Sequence, residues 1–147
     1  GRALAHLGNF LGFSVAVWDD RPEYADPQKL EAADWVVSGS LDRLLEKFPI
    51  RSDCYLVIVT RGHKTDGEVL RQVIQSDAAY IGMMGSKAKV AKMKAEFLSK
   101  GWATSSRWNR IHTPVGLDIG GQTVEEIALS IAAELVKVRN QILVSNE

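Results

Sequence analysis

Apolar positions along the chain switch between short unbroken runs and helical spacing. Residues 2–12, RALAHLGNFLG, set Leu4, Leu7, Phe10 and Leu11 on one helical face, with Gly12 as the stop. FSVAVW (13–18) reads as a buried strand rich in valine and aromatics, closed by Asp19, Asp20, Arg21 and Pro22. Residues 23–33 read as loop with a short helical turn, DWVVSG (34–39) as a short strand, and LDRLLEKF (41–48) as a short amphipathic helix halted before Pro49. YLVIVT (55–60) shows no alternation, which predicts a strand buried on both faces, the most buried of the chain. RGHKTDG reads as a turn, and EVLRQVIQ (68–75) as a helix turned inward through Val69, Leu70 and Val73. AAYIGMM (78–84) is another strand, followed by a helix over 86–100 with Val90, Met93 and Phe97 inward and Gly101 as its stop. Residues 102–122 are mixed. The last helix opens at TVEE, where Thr123 caps and Glu126 reaches back, and runs to about Leu143 on Ile127, Ile131, Leu135 and Val138.

Helices alternating with non-alternating strands predict an α/β fold: a doubly wound, Rossmann-like parallel sheet with helices on both faces. YLVIVT and AAYIGMM, joined by one helix, are expected to be parallel neighbours through a right-handed crossover. A doubly wound sheet places its first strand in the middle, yet this chain opens on a helix. The expectation is therefore a single domain over residues 1–147 that lacks its first strand and comes from the C-terminal part of a longer protein.

Composition narrows the function classes. Lysine plus arginine equals aspartate plus glutamate, 18 each, so the basic excess of a nucleic-acid binder is missing. Hydrophobic residues reach 46%, enough for a real core and too many for a disordered segment. The single cysteine, Cys54, excludes a disulfide within the chain and a multi-cysteine zinc site, and fits a reducing, cytoplasmic setting. No apolar run approaches the ~20 residues that span a bilayer, so no membrane partner is expected.

Candidate chemistry sits where strands end. YIGMMGSKAKVAKM (80–93) runs from a strand through Gly82 and Gly85 into a helix capped by Ser86, with Lys87, Lys89 and Lys92 at its start. Unpaired first-turn amides attract anions, whereas lysines there oppose the macrodipole by about 0.3–1 kcal/mol each. That arrangement fits an anionic ligand such as a nucleotide phosphate; a solvated basic face fits it too. Asp19 ends a strand where a dinucleotide fold keeps an acid for the ribose hydroxyls. Arg21 beside it would welcome a phosphate, and DDRP is also ordinary turn chemistry. Gly1 stands where the last glycine of a G-x-G-x-x-G loop would be. Thr60, Arg61, Gly62 and His63 follow YLVIVT at the strand end where open sheets bind ligands. HTPVGLDIGGQT (112–123) adds His112, Gly116 and Asp118, which suit a polar ligand or a tight entry to the last helix. No spacing of histidine, cysteine or glutamate matches a metal site, and no serine sits in a nucleophile elbow.

Together IVTRGH, YIGMMGSKAK and HTPVGLDIGGQTVEEIALSIAAELVKVR resemble the C-terminal Rossmann domain of the XdhC/CoxI family across essentially the whole chain. The resemblance implies an accessory factor in the maturation of molybdenum hydroxylases, a cofactor-insertion chaperone more than a catalyst. It implies binding of molybdenum cofactor (molybdopterin) and its delivery, with sulfuration, to an apo xanthine dehydrogenase-type enzyme. A cysteine desulfurase and a homodimer are the implied partners. The family's glycine segments map onto Gly82, Gly85 and Ser86 and onto Gly116, Asp118 and Gly120. An NAD(P)-binding oxidoreductase or nucleotide sensor is the second reading, and a dimerisation or docking domain the third.

Overall fold

Strands of only four residues or fewer can be stable when helices cover their faces, and the computed structural model, which describes residues 1–146, uses this arrangement throughout. The elements are α1 (Arg2–Phe10), β1 (Ala16–Asp19), β2 (Trp35–Ser38), α2 (Leu41–Lys47), β3 (Tyr55–Ile58), α3 (His63–Val73), β4 (Tyr80–Met83), α4 (Lys87–Ser99), α5 (Ser105–Trp108), β5 (Ile111–His112) and α6 (Val124–Ser145). Every strand pairing is parallel, as an α/β chain requires. The pairings form two sheets, β1-β2 and β3-β4-β5, instead of the single sheet expected. The strand that a doubly wound order would set beside both β1 and β3 is not among the described residues. The chain divides into two compact units: Gly1–Pro49 with Leu117–Glu134, and Ile50–Gly116 with the chain from Leu135 onward.

In the first unit, β1 begins three residues later than FSVAVW suggests. Val15 is occupied elsewhere: its N–H donates to Asp34 Oδ2 at 2.7 Å, and its carbonyl accepts from the Asp34 and Trp35 amides. The predicted face of α1 is also corrected. Ala5 and Gly8 are buried, while Phe10 is 82% exposed. Gly8 lies so close to Val15 that a Cβ there would stand 3.2 Å from Val15 Cγ2, so the tightest packing falls on the smallest residue. The capping box of α6 forms as read: Glu126 accepts from the Thr123 amide at 2.9 Å and donates its own N–H to Thr123 Oγ1 at 3.1 Å.

The second unit holds a core of Leu70, Val73, Ile74, Ile81, Met83, Met93 and Phe97. Here β4, not β3, is the most buried strand, because β4 is the middle of its sheet and β3 an edge. The helix predicted from Glu68 begins at His63, and its first turn lies in the segment read as a turn. Two short elements, α5 and β5, lie in the stretch read as mixed. Arg107 and Arg110 each donate to the Ser76 carbonyl, and Arg110 also to Ala78, which satisfies the backbone entering β4.

Candidate functional site

Because β3, β4 and β5 are parallel, their C-terminal ends meet at one edge of the second unit's sheet. Ile58 ends β3 opposite Met83, which ends β4, and His112 ends β5 opposite Gly82. The Met84 amide donates to the Ile58 carbonyl at 3.2 Å and carries the pairing one step past the strands. Thr60, Arg61, Gly62 and His63 leave from β3; Gly85, Ser86 and Lys87 leave from β4; Gly116 follows β5, with φ of 95°. Both long helices of this unit start at the same edge, α3 at His63 and α4 at Lys87. Gly62 gives α3 no side-chain cap. Ser86 Oγ accepts from the Lys89 amide at 3.3 Å, as a serine cap should. The first two amides of α4, Lys87 and Ala88, have no partner among the described residues and point where an anion is favoured.

The turn after β3 is held by a residue that the periodicity did not single out. Asp66, 7% exposed, sits in the first turn of α3. Its Oδ1 accepts from the Thr60 amide at 3.1 Å and from the Thr60 hydroxyl at 2.6 Å. The signal available was an acid six positions past a strand-end threonine, a spacing that means little until the turn between them is known.

Gly82 lies within β4 instead of in the turn, and packing accounts for it. A Cβ there would stand 2.5 Å from Tyr80 Oη, 2.6 Å from Val115 Cγ2 and 2.7 Å from Tyr80 Cε1. The Tyr80 ring, 1% exposed, occupies that space. It stacks on His112 with ring centroids 4.5 Å apart and on Tyr55 at 6.4 Å. Burial pushes the Tyr55 phenol pKa up, with Arg139 pulling the other way.

Gly1, Asp19, Arg21 and Asp118 belong to the first unit. Gly1 is the N-cap of α1. Asp118 follows Leu117, whose amide donates to the Ser130 carbonyl at 3.1 Å. Arg21 turns onto Asp19 in a two-pronged pairing: Nε donates to Oδ1 and a terminal nitrogen to Oδ2, both at 2.9 Å. The Arg21 amide also donates to Oδ1 at 3.0 Å, and the guanidinium lies 3.9 Å from the Tyr24 ring centroid. The Arg21 side-chain bonds hold the Asp19 carboxyl below the usual carboxylate range. A cleft of about 650 Å³ in this unit, lined by Arg2, His6, Leu7, Leu30, Glu125 and Leu129 among others, contains none of these four residues. No group of three potential metal ligands occurs among the described residues, and no helix there is long and apolar enough to cross a membrane.

With the strand-end geometry in hand, comparison with known proteins decides the family. The model of the XdhC Rossmann domain matches residues 1–135. The chain belongs to the XdhC Rossmann-domain family. Relatives of this XdhC domain are longer proteins. Over 140 residues it is 33% identical to the protein YqeB of Escherichia coli (strain K12), covering 95% of this chain and 25% of that one. Over 141 residues it is 30% identical to a probable xanthine dehydrogenase subunit of Bacillus subtilis (strain 168), covering 96% and 40%. A crystal structure described as a xanthine dehydrogenase of Bacillus halodurans superposes with a TM-score of 0.81 at 29% identity, over 95% of this chain and 39% of that one. The XdhC domain thus spans between a quarter and two-fifths of these relatives.

Proposed function

We propose that this XdhC domain serves the maturation of a xanthine dehydrogenase-type enzyme by binding molybdenum cofactor through its phosphate and handing it to the apo-enzyme. The observation that carries the reading is the shared edge of β3, β4 and β5. Two helices of 11 and 13 residues start there, and the Lys87 and Ala88 amides of α4 have no partner among the described residues. That donor set fits a phosphate; the cofactor's dithiolene would hold the molybdenum, which would supply the redox chemistry. Sulfuration with a cysteine desulfurase and a homodimeric state belong to the same proposal, on family membership alone. A dinucleotide is the second reading, favoured by Asp19 at the C-terminal end of β1.

Purified protein tests both readings. Oxidative release of a fluorescent pterin, together with activation of an apo xanthine dehydrogenase, is expected under the first. Calorimetric binding of NAD or NADP without any pterin would replace it with the second.

A further inference from the structure

Helices α3 and α4 end at the side of the second unit opposite the strand-end turns, and cations collect there. α3 closes at Val73 and α4 at Ser99. Gln75 Nε2 donates to the Trp102 carbonyl at 2.9 Å, which joins the two helix ends. The Arg71 guanidinium lies 4.0 Å from the Trp102 ring centroid, and the Lys100 ammonium 4.7 Å from it. One residue past Gln75, the Ser76 carbonyl accepts from Arg107 at 3.1 Å and from Arg110 at 3.0 Å. Carboxylates do not balance this corner. Glu96 pairs with Lys100 at 3.0 Å, and Asp77, its side chain 86% exposed, comes only within 3.9 Å of Arg107. No carboxylate pairs with Arg71 or Arg110 among the described residues. Arg71, Lys100 and Arg110 are exposed, and Trp102 is half-buried. A helix dipole favours a cation at each C-terminus. It does not call for an indole against two of them, nor for Arg110.

We infer that this corner docks an acidic segment of a partner protein. Its excess charge is positive, so the complementary surface is acidic. Tryptophan and arginine are the side chains that most often anchor protein interfaces. Here they are held in place before a partner arrives: Arg71 and Lys100 lie against the indole, and Arg107 and Arg110 are fixed on backbone carbonyls. Binding therefore orders few further side chains. A guanidinium has five N–H donors, more than the contacts at Ser76 and Ala78 use, and a carboxylate can accept two of them side by side. A nucleic acid is the poorer match, because the chain as a whole carries no basic excess, 18 basic against 18 acidic residues. The 11 residues of α3 set the corner roughly 16 Å from the strand-end turns, at 1.5 Å per residue. A partner here and an anion at the α4 start do not compete, and this inference does not rest on the cofactor proposed for that edge.

An octaglutamate peptide is the probe, titrated into the isotope-labelled protein and followed by NMR. The Trp102 indole N–H and the amides of Gln75, Ser76 and Lys100 should shift, with a Kd below about 1 mM that rises with salt. Arg71→Gln combined with Lys100→Gln should weaken binding by at least about tenfold. Both side chains are exposed, so the melting temperature should stay near that of the parent. Arg71→Lys keeps the charge and should keep most of the affinity. Lys87→Glu, at the far end of the unit, should leave peptide binding unchanged. Orthophosphate binding should depend on Lys87 and not on the Arg71–Lys100 pair, so either reading can fail alone. No shift at millimolar peptide, shifts centred on Lys87, Lys89 and Lys92, or full affinity in the folded double variant overturns the inference. A short single-stranded DNA that moves the same signals at lower concentration than the peptide overturns it in favour of a nucleic acid.

Discussion

Replacing Gly82 with alanine separates a packing glycine from a ligand-binding one. The new methyl carbon would meet Tyr80 Oη at 2.5 Å, Val115 Cγ2 at 2.6 Å and Tyr80 Cε1 at 2.7 Å. Relaxed contacts between such atoms lie near ~3.5–4.0 Å, so each neighbour must retreat by about 1 Å. Tyr80 has little room to do so, being 1% exposed and stacked on His112. Overpacking of this kind costs about 1–3 kcal/mol. Against it stands a gain of about 0.4–1 kcal/mol from a less flexible unfolded chain, since the backbone at Gly82 is not in the left-handed region. The net expectation is a loss of about 1–2 kcal/mol. At about 2–4 °C per kcal/mol for a chain near this size, the melting temperature should fall by about 2–8 °C. The assay is thermal and urea unfolding, repeated in a Tyr80→Phe, Val115→Ala background that removes two of the three colliding atoms. There the cost of Gly82→Ala should shrink by at least about 0.5 kcal/mol, the scale of coupling between residues in contact. If Gly82→Ala unfolds like the parent, or costs the same in both backgrounds, the packing account is wrong. A loss of ligand binding at unchanged stability would then return Gly82 to the binding site.

Three further outcomes are expected. Lys87→Glu should weaken orthophosphate or cofactor binding at least about tenfold, or 1.4 kcal/mol, and stabilise the ligand-free protein by about 1 kcal/mol through the α4 dipole; equal affinity at low and moderate salt would make the lysines a solvated face. Arg21→Ala should move the Asp19 pKa, now held down chiefly by the Arg21 side chain, up toward the ordinary carboxylate range, which NMR titration of the carboxyl carbon reads directly; an unmoved pKa would sink that assignment. Thr123→Ala should cost about 0.5–2 kcal/mol as a lost helix cap, measured by urea unfolding at neutral pH. The Glu126 pKa is lowered by the Thr123 and Gln122 amides, so its contribution is present above the unfolded carboxyl pKa and fades as pH falls through the lower folded value; Glu126→Gln should flatten that part of the stability profile below about pH 5.

The division between what was legible in the chain and what was not follows the range of the forces. Ser86 as the α4 cap, the Thr123–Glu126 box, and the left-handed stops at Gly12 and Gly101 rest on contacts within a few residues, and each can be read from spacing alone. The parallel pairing of β3 with β4 was legible too, because one intervening helix leaves little topological choice. Alternation could not tell the edge strand β3 from the central β4, since apolar runs look alike until their neighbours are known. Nor could it see that Phe10 faces outward while Gly8 is buried against Val15, or that Gly82 is small because Tyr80 lies across it. Asp66 is the sharpest case. In the sequence it was one polar residue in a turn; only the folded β3–α3 junction buries it and aims it at Thr60. Short-range hydrogen bonding and hydrophobic period are properties of the chain itself. Which side chain fills a given space, and which hydroxyl gives up its proton, depends on atoms that sequence distance does not order, and only the tertiary structure decides them.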